Sequence, residues 1–73
     1  MTTYYINMNT MENLDAQIID EATLEAAEHG LNYLNPDDFM FLCEADSMEQ
    51  AKEVWAKEWN QMIGDRLMEA NHP

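Results

Sequence analysis

The spacing of apolar residues changes period along this chain, and each change predicts an element. Thr2 to Met8 (TTYYINM) is rich in β-branched and aromatic residues and predicts a strand. Asn7 to Thr10 supplies turn and cap residues. From Met11 to Leu34 the pattern turns helical but not continuous. Leu14, Ile18 and Ala22 fall at i, i+4 and i+8, whereas Leu24, Ala27, Leu31 and Leu34 fall on a second stripe. Two helical pieces are expected, broken near Asp20, which can cap the second. That second piece, Glu21 to His29, is Ala/Glu-rich, and Gly30 suits its end. Asn35-Pro36-Asp37-Asp38 is a turn signal. Asp38 or Phe39 to Glu44 then predicts a second, mostly buried strand.

Ser47-Met48-Glu49-Gln50 has the form of a capping box, a Ser cap with Gln three residues on. It opens the longest predicted helix, running to about Ala70. Ala51, Val54, Trp55, Trp59, Met62, Ile63 and Leu67 form its apolar stripe. Gly64 interrupts that stripe, at about 1 kcal/mol against Ala, and marks a kink or a close approach. No repeat, linker or low-complexity segment divides the chain. The expected fold is a small, single α+β domain over residues 1–73. Two or three short strands pack against a long C-terminal helix and one or two shorter helices. Two adjacent strands joined through a helical crossover would be parallel. A third short strand near Gln17–Ile19 or Asn32–Leu34 would change that.

Composition adds to this picture in two places. Of the 73 residues, 47% are hydrophobic, enough for a core and against disorder. No apolar run approaches the ~18 residues of a membrane span, and no signal-peptide pattern opens the chain. The lone cysteine, Cys43, fits a reducing compartment, so a cytoplasmic location is expected. The second place is charge. The formal net charge is −12, and its distribution is lopsided. Residues 1–51 hold eleven carboxylates and no Lys or Arg, and Lys52, Lys57 and Arg66 all follow. Unrelieved like charge destabilises a compact state, so the imbalance calls for a reason.

Candidate chemistry is thin. Cys43 lies in an apolar strand pattern beside Glu44, whose charge opposes a reactive thiolate; it reads as a core residue. His29 fits a helix C-terminus, where a cation complements the dipole. His72 is next to the last residue and is expected to be disordered. No zinc-type spacing, calcium loop or phosphate-binding Gly-rich loop occurs, so neither metal nor cofactor is expected. Phosphates would be repelled, which disfavours direct nucleic-acid binding. The carboxylates have no desolvating or polarising context in sequence, and a non-enzyme is expected.

The acids themselves are patterned. Glu21, Glu25 and Glu28 fall at i, i+4 and i+7, on one helical face, with neighbours about 5–6 Å apart. Glu12 and Asp15 are at i, i+3, and Glu49 and Glu53 at i, i+4. A compact chain of this length has a radius of gyration of about 11 Å and a diameter near 30 Å. Twelve charges equal roughly 20 Å of duplex at one per ~1.7 Å, so the linear charge is of the order of DNA's. In size, acidity, Met content and mixed α+β pattern, the whole chain resembles the small phage-encoded DNA-mimicking anti-CRISPR proteins. Those of type I systems, type I-C in particular, are the most similar. The resemblance implies an inhibitor that occupies the DNA-binding region of the Cascade surveillance complex and blocks target recognition. Its partner would be a basic nucleic-acid-binding subunit. The contact surface is expected in the cation-free region, at Glu12, Asp15, Asp20, Glu21, Glu25, Glu28, Asp37 and Asp38. The alternative is an antitoxin-like module or small regulatory subunit that binds a basic partner partly through an apolar patch. Its mark would be a solvent-facing Trp55, Trp59, Met62 and Leu67. A third reading is a structural phage protein with incidental acidity.

Overall fold

In the computed structural model, which describes residues 1–70 and their side chains as far as Met62, the chain forms a three-stranded sheet between two helices. Strand β1 (Thr2–Asn7) lies in the centre, flanked by β2 (Ile18–Asp20) and β3 (Phe39–Ala45), both antiparallel to it. Helix α1 (Glu21–Glu28) joins β2 to β3, and helix α2 (Met48–Ala70) follows β3. This is the small α+β fold expected from the sequence. The parallel pairing of β1 with β3 is not what forms. A strand at Ile18–Asp20, one of the two possible sites for a third strand, reverses the chain first. The crossover through α1 therefore relates β2 to β3, which run the same way on either side of β1.

The first expected helical piece is absent. Met8–Thr10 is one turn of 3-10 helix, and a loop leads from there to β2. Leu14, on the supposed stripe, is 50% exposed, whereas Ala16, off it, is buried. Side-chain hydrogen bonds close the loop instead. Thr10 Oγ1 donates to Asn7 O (2.8 Å) and accepts from Gln17 N (2.9 Å), and Asn7 Nδ2 donates to Gln17 Oε1 (3.0 Å). Residues of this type compete with the helix for backbone groups, and here they win.

Helix α1 begins and ends where its sequence says. Asp20 is the N-cap, accepting from Thr23 N at 2.8 Å. At the other end Leu31 N donates to Ala26 O (2.8 Å) and Gly30 N to Ala27 O (3.1 Å), a Schellman closure. Gly30 takes the positive φ of 71° that this closure requires. Asn35 caps a second 3-10 turn at Pro36–Asp38. At the start of α2, Ser47 Oγ accepts from Gln50 N (3.2 Å), as in the box. The returning bond differs: Gln50 Oε1 accepts from Asp46 N (2.7 Å), one residue before the cap.

Alternation assigns the two sheet faces. Tyr4 and Ile6 point to the α2 side, where they meet Ala16, Ala45, Ala51 and Trp55, all buried. Strand β3 carries a bulge between the Tyr4–Cys43 and Tyr5–Phe41 pairs, with Leu42 as the extra residue. Leu42 and Cys43 therefore both turn toward this core, as a bulge allows. Trp55 Nε1 donates to Asn13 O (3.1 Å), tying α2 to the loop before β2. Trp59 packs on the same cluster, while Met62 is exposed. The side chains of Ile63, Gly64 and Leu67, and residue His72, lie outside the described residues. A helix of 23 residues is about 34 Å long and overruns strands of about 20 Å. The molecule is accordingly elongated, 51 × 24 × 15 Å, with a radius of gyration of 14.3 Å, not the ~11 Å of a compact chain. Among the described residues no helix is long and apolar enough to cross a membrane.

Candidate interaction surface

The other sheet face is less completely covered. Tyr5 faces it, flanked by its register partners Ile19 on β2 and Phe41 on β3. Helix α1 packs over β1 and β2, and its eight residues are too few to reach across the sheet. Ile19 is buried, Tyr5 is half-buried, and Phe41 is 57% exposed. The expectation that β3 is mostly buried therefore fails: Phe41 and Glu44 on this side are exposed, and so is Met40, the partner of Ile6 on the α2 side. The rings of Tyr5 and Phe41 meet edge to face, 6.4 Å between centroids and 86° between planes. Two residues along β1 from Tyr5, Thr3 pairs with Glu44 on the same face, about 7 Å away.

The three acids of α1 come together beside this aromatic pair. Glu21, Glu25 and Glu28, all exposed, line a groove of about 330 Å³ with Tyr5, Leu24 and His29. Among the described residues no Lys or Arg lines it. Of the other acids expected to act, Asp37 and Asp38 sit in the 3-10 turn that packs against α1. Asp20 borders the group, but its carboxylate is engaged in capping. Hydrogen bonds from the Thr23 side chain and backbone hold it below the usual Asp range.

Glu12 and Asp15 do not join the others. They lie in the loop before β2, and Asp15 lines a separate groove with Leu14, Ile18, Trp55 and Lys52, on the α2 side. Lys52 thus borders the very acid that the sequence assigned to a cation-free region. The eight expected residues split between the two sides of the sheet.

Glu44, Tyr5 and Phe41 belong to the surface and were not among the expected residues. Their signal is the pairing of β1 with β3, which puts every second side chain on one face. Cys43 points to the α2 side. Burial raises its thiol above the ordinary value, and a carboxylate adds to this; that carboxylate is Glu58 on α2, not the adjacent Glu44. Among the described residues no three His, Cys, Asp or Glu side chains converge as metal ligands.

Elongation also revises the charge comparison. A charge of −12 over 51 Å is about one per 4 Å, nearer the 3.4 Å of a single DNA strand than the 1.7 Å of a duplex. The net charge is not evenly spread, however, because all three cations fall within α2. Comparison of the chain with protein-family models, curated proteins and solved structures found no match.

Proposed function

We propose that the protein is an inhibitor that offers a DNA-like acidic surface to a basic nucleic-acid-binding complex. The observation that carries this reading is the convergence of Glu21, Glu25 and Glu28 on one groove with no Lys or Arg among the described residues of its lining. Like charges at i, i+4 and i+7 cost helix stability without a compensating internal contact. A basic partner supplies that compensation, and the field of the acids speeds the encounter. On the resemblance to type I anti-CRISPR proteins, the partner is the DNA-binding region of Cascade, and the outcome is a block to target recognition. The antitoxin-like alternative needs the Trp face of α2 to be open. Trp55 is 2% exposed and Trp59 packs on the same core cluster, which favours the acidic surface instead.

The test is competition between the protein and target DNA for Cascade, at low and high salt. The wild-type protein should displace DNA, with its effect falling as salt rises. Charge reversal at Glu21→Lys, Glu25→Lys and Glu28→Lys together should weaken inhibition by about 10- to 100-fold, from ~0.5–1 kcal/mol per exposed pair. Circular dichroism should be unchanged. Normal inhibition by the triple variant sinks the assignment to this surface. Failure of the wild-type protein to compete with DNA sinks the reading itself.

A further inference from the structure

A purely electrostatic decoy has no use for exposed aromatic rings, yet this surface has them at its centre. Phe41 is 57% exposed and braced against Tyr5, and Tyr5 lines the groove of α1 acids. Glu44 stands on the far side of the pair, on the same sheet face. An exposed ring braced on a half-buried one, with carboxylates on the same face, suits a planar, weakly hydrated cation. Guanidinium meets that description: it stacks on aromatic rings and pairs bidentately with carboxylates. The ammonium of lysine is compact and strongly hydrated and gains less from the rings.

A second copy of this chain is a poor occupant, because it would bring another −12 to the same face. Edge pairing through β3 is also poorly served, since the bulge at Leu42 twists the strand and breaks its regular ladder. Charge complementarity leaves a cationic partner.

We propose that the open half of the sheet is a docking surface for an arginine-bearing segment of the partner. Guanidinium groups stack on Phe41 and Tyr5 while Glu21, Glu25 and Glu44 accept their hydrogen bonds. This rests on the decoy reading and deepens it: the surface distinguishes arginine from lysine, which a field of carboxylates alone does not.

The test uses the full chain with oligo-arginine and oligo-lysine peptides of equal length, titrated by calorimetry at fixed salt. The wild-type protein should prefer the arginine peptide. Phe41→Ala should weaken arginine-peptide binding by about 2- to 5-fold, the worth of an exposed cation–π contact, and erase the preference. Phe41→Tyr should keep it, and an unchanged emission spectrum from Trp55 and Trp59 in both variants guards against misfolding. Equal binding of the two peptides to the wild-type protein overturns the proposal. So does a preference that survives Phe41→Ala. If the preference is absent while the α1 triple variant still loses inhibition of Cascade, this inference falls and the decoy reading stands.

Discussion

Helix α2 lays Ala51 and Trp55 on one face of the sheet and buries both. Helix α1, on the other face, buries only Ala27 and turns Glu21, Glu25 and Glu28 outward. The first helix in this comparison carries all three cations of the chain; the second carries none. One face of the sheet is thus spent on stability, and the other is left half open and acidic. In a chain of 73 residues total stability is about 4–11 kcal/mol, so the two uses cannot be mixed freely.

The sharpest way to break the comparison is at Trp55. Its side chain fills the space between Ile6, Ala16 and the helix, and its indole N–H is bound to Asn13 O. Trp55→Ala should cost about 3–5 kcal/mol, from lost burial and the cavity left behind. That is much of the total, and urea denaturation should show a chain largely unfolded or close to it. Were Trp55→Ala to unfold at nearly the wild-type midpoint, the α2 face would not be the core. Phe41→Ala, on the open face, should leave the midpoint almost unmoved by contrast.

Next in size are the two ends of α1, which hold the acid row in place. Gly30→Ala meets no clash, since nothing lies within 4 Å of the added Cβ, but it forces an L-residue to φ 71°. The cost should be about 1–2 kcal/mol. Asp20→Ala removes the N-cap and should cost about 1 kcal/mol. The cap also has a pH signature. Because the Asp20 carboxyl titrates below its ordinary value in the folded protein, its contribution is complete above the unfolded-state value. It is lost as pH falls through the folded one. Wild-type and Asp20→Ala stabilities should therefore converge in acid and separate toward neutral pH. A constant gap across that range would mean that the ionised carboxylate is not the cap.

The ends of α1 were also the most legible part of the sequence. Asp20 and Gly30 act through the few backbone groups beside them, and local chemistry of that kind survives without knowledge of the fold. The segment from Met11 to Gln17 forms no helix, although Leu14, Ile18 and Ala22 share a helical spacing by coincidence. Asn7, Asn9 and Thr10, which fix the loop through side-chain bonds, were the better guide. At three residues β2 is too short for alternation to show. For the surface, the α1 trio was visible because helical spacing alone brings it together. Glu44 and the Tyr5–Phe41 pair were not, because they meet only through the register of β1 with β3, which no local pattern encodes. Asp15 stands apart from the other acids for the same reason: Lys52, distant in sequence, borders its groove.

The smallest expected effect is the most specific to the comparison. On the α2 side, changing a buried residue costs kilocalories; on the α1 side, changing the acids should cost nothing. Glu21, Glu25 and Glu28 are exposed and repel one another at i, i+4 and i+7. Replacing Glu25 and Glu28 with Gln removes that repulsion and also removes two anions near the negative end of the α1 dipole. The double variant should be more stable by a few tenths of a kcal/mol per relieved pair, with the gain shrinking as salt is added. A rise in thermal midpoint at low salt that fades at high salt is the outcome to look for. A loss of stability would mean that these carboxylates already have an internal structural use. A gain would mean that the wild-type chain carries them at a cost to its own folding, as a surface kept for a partner would.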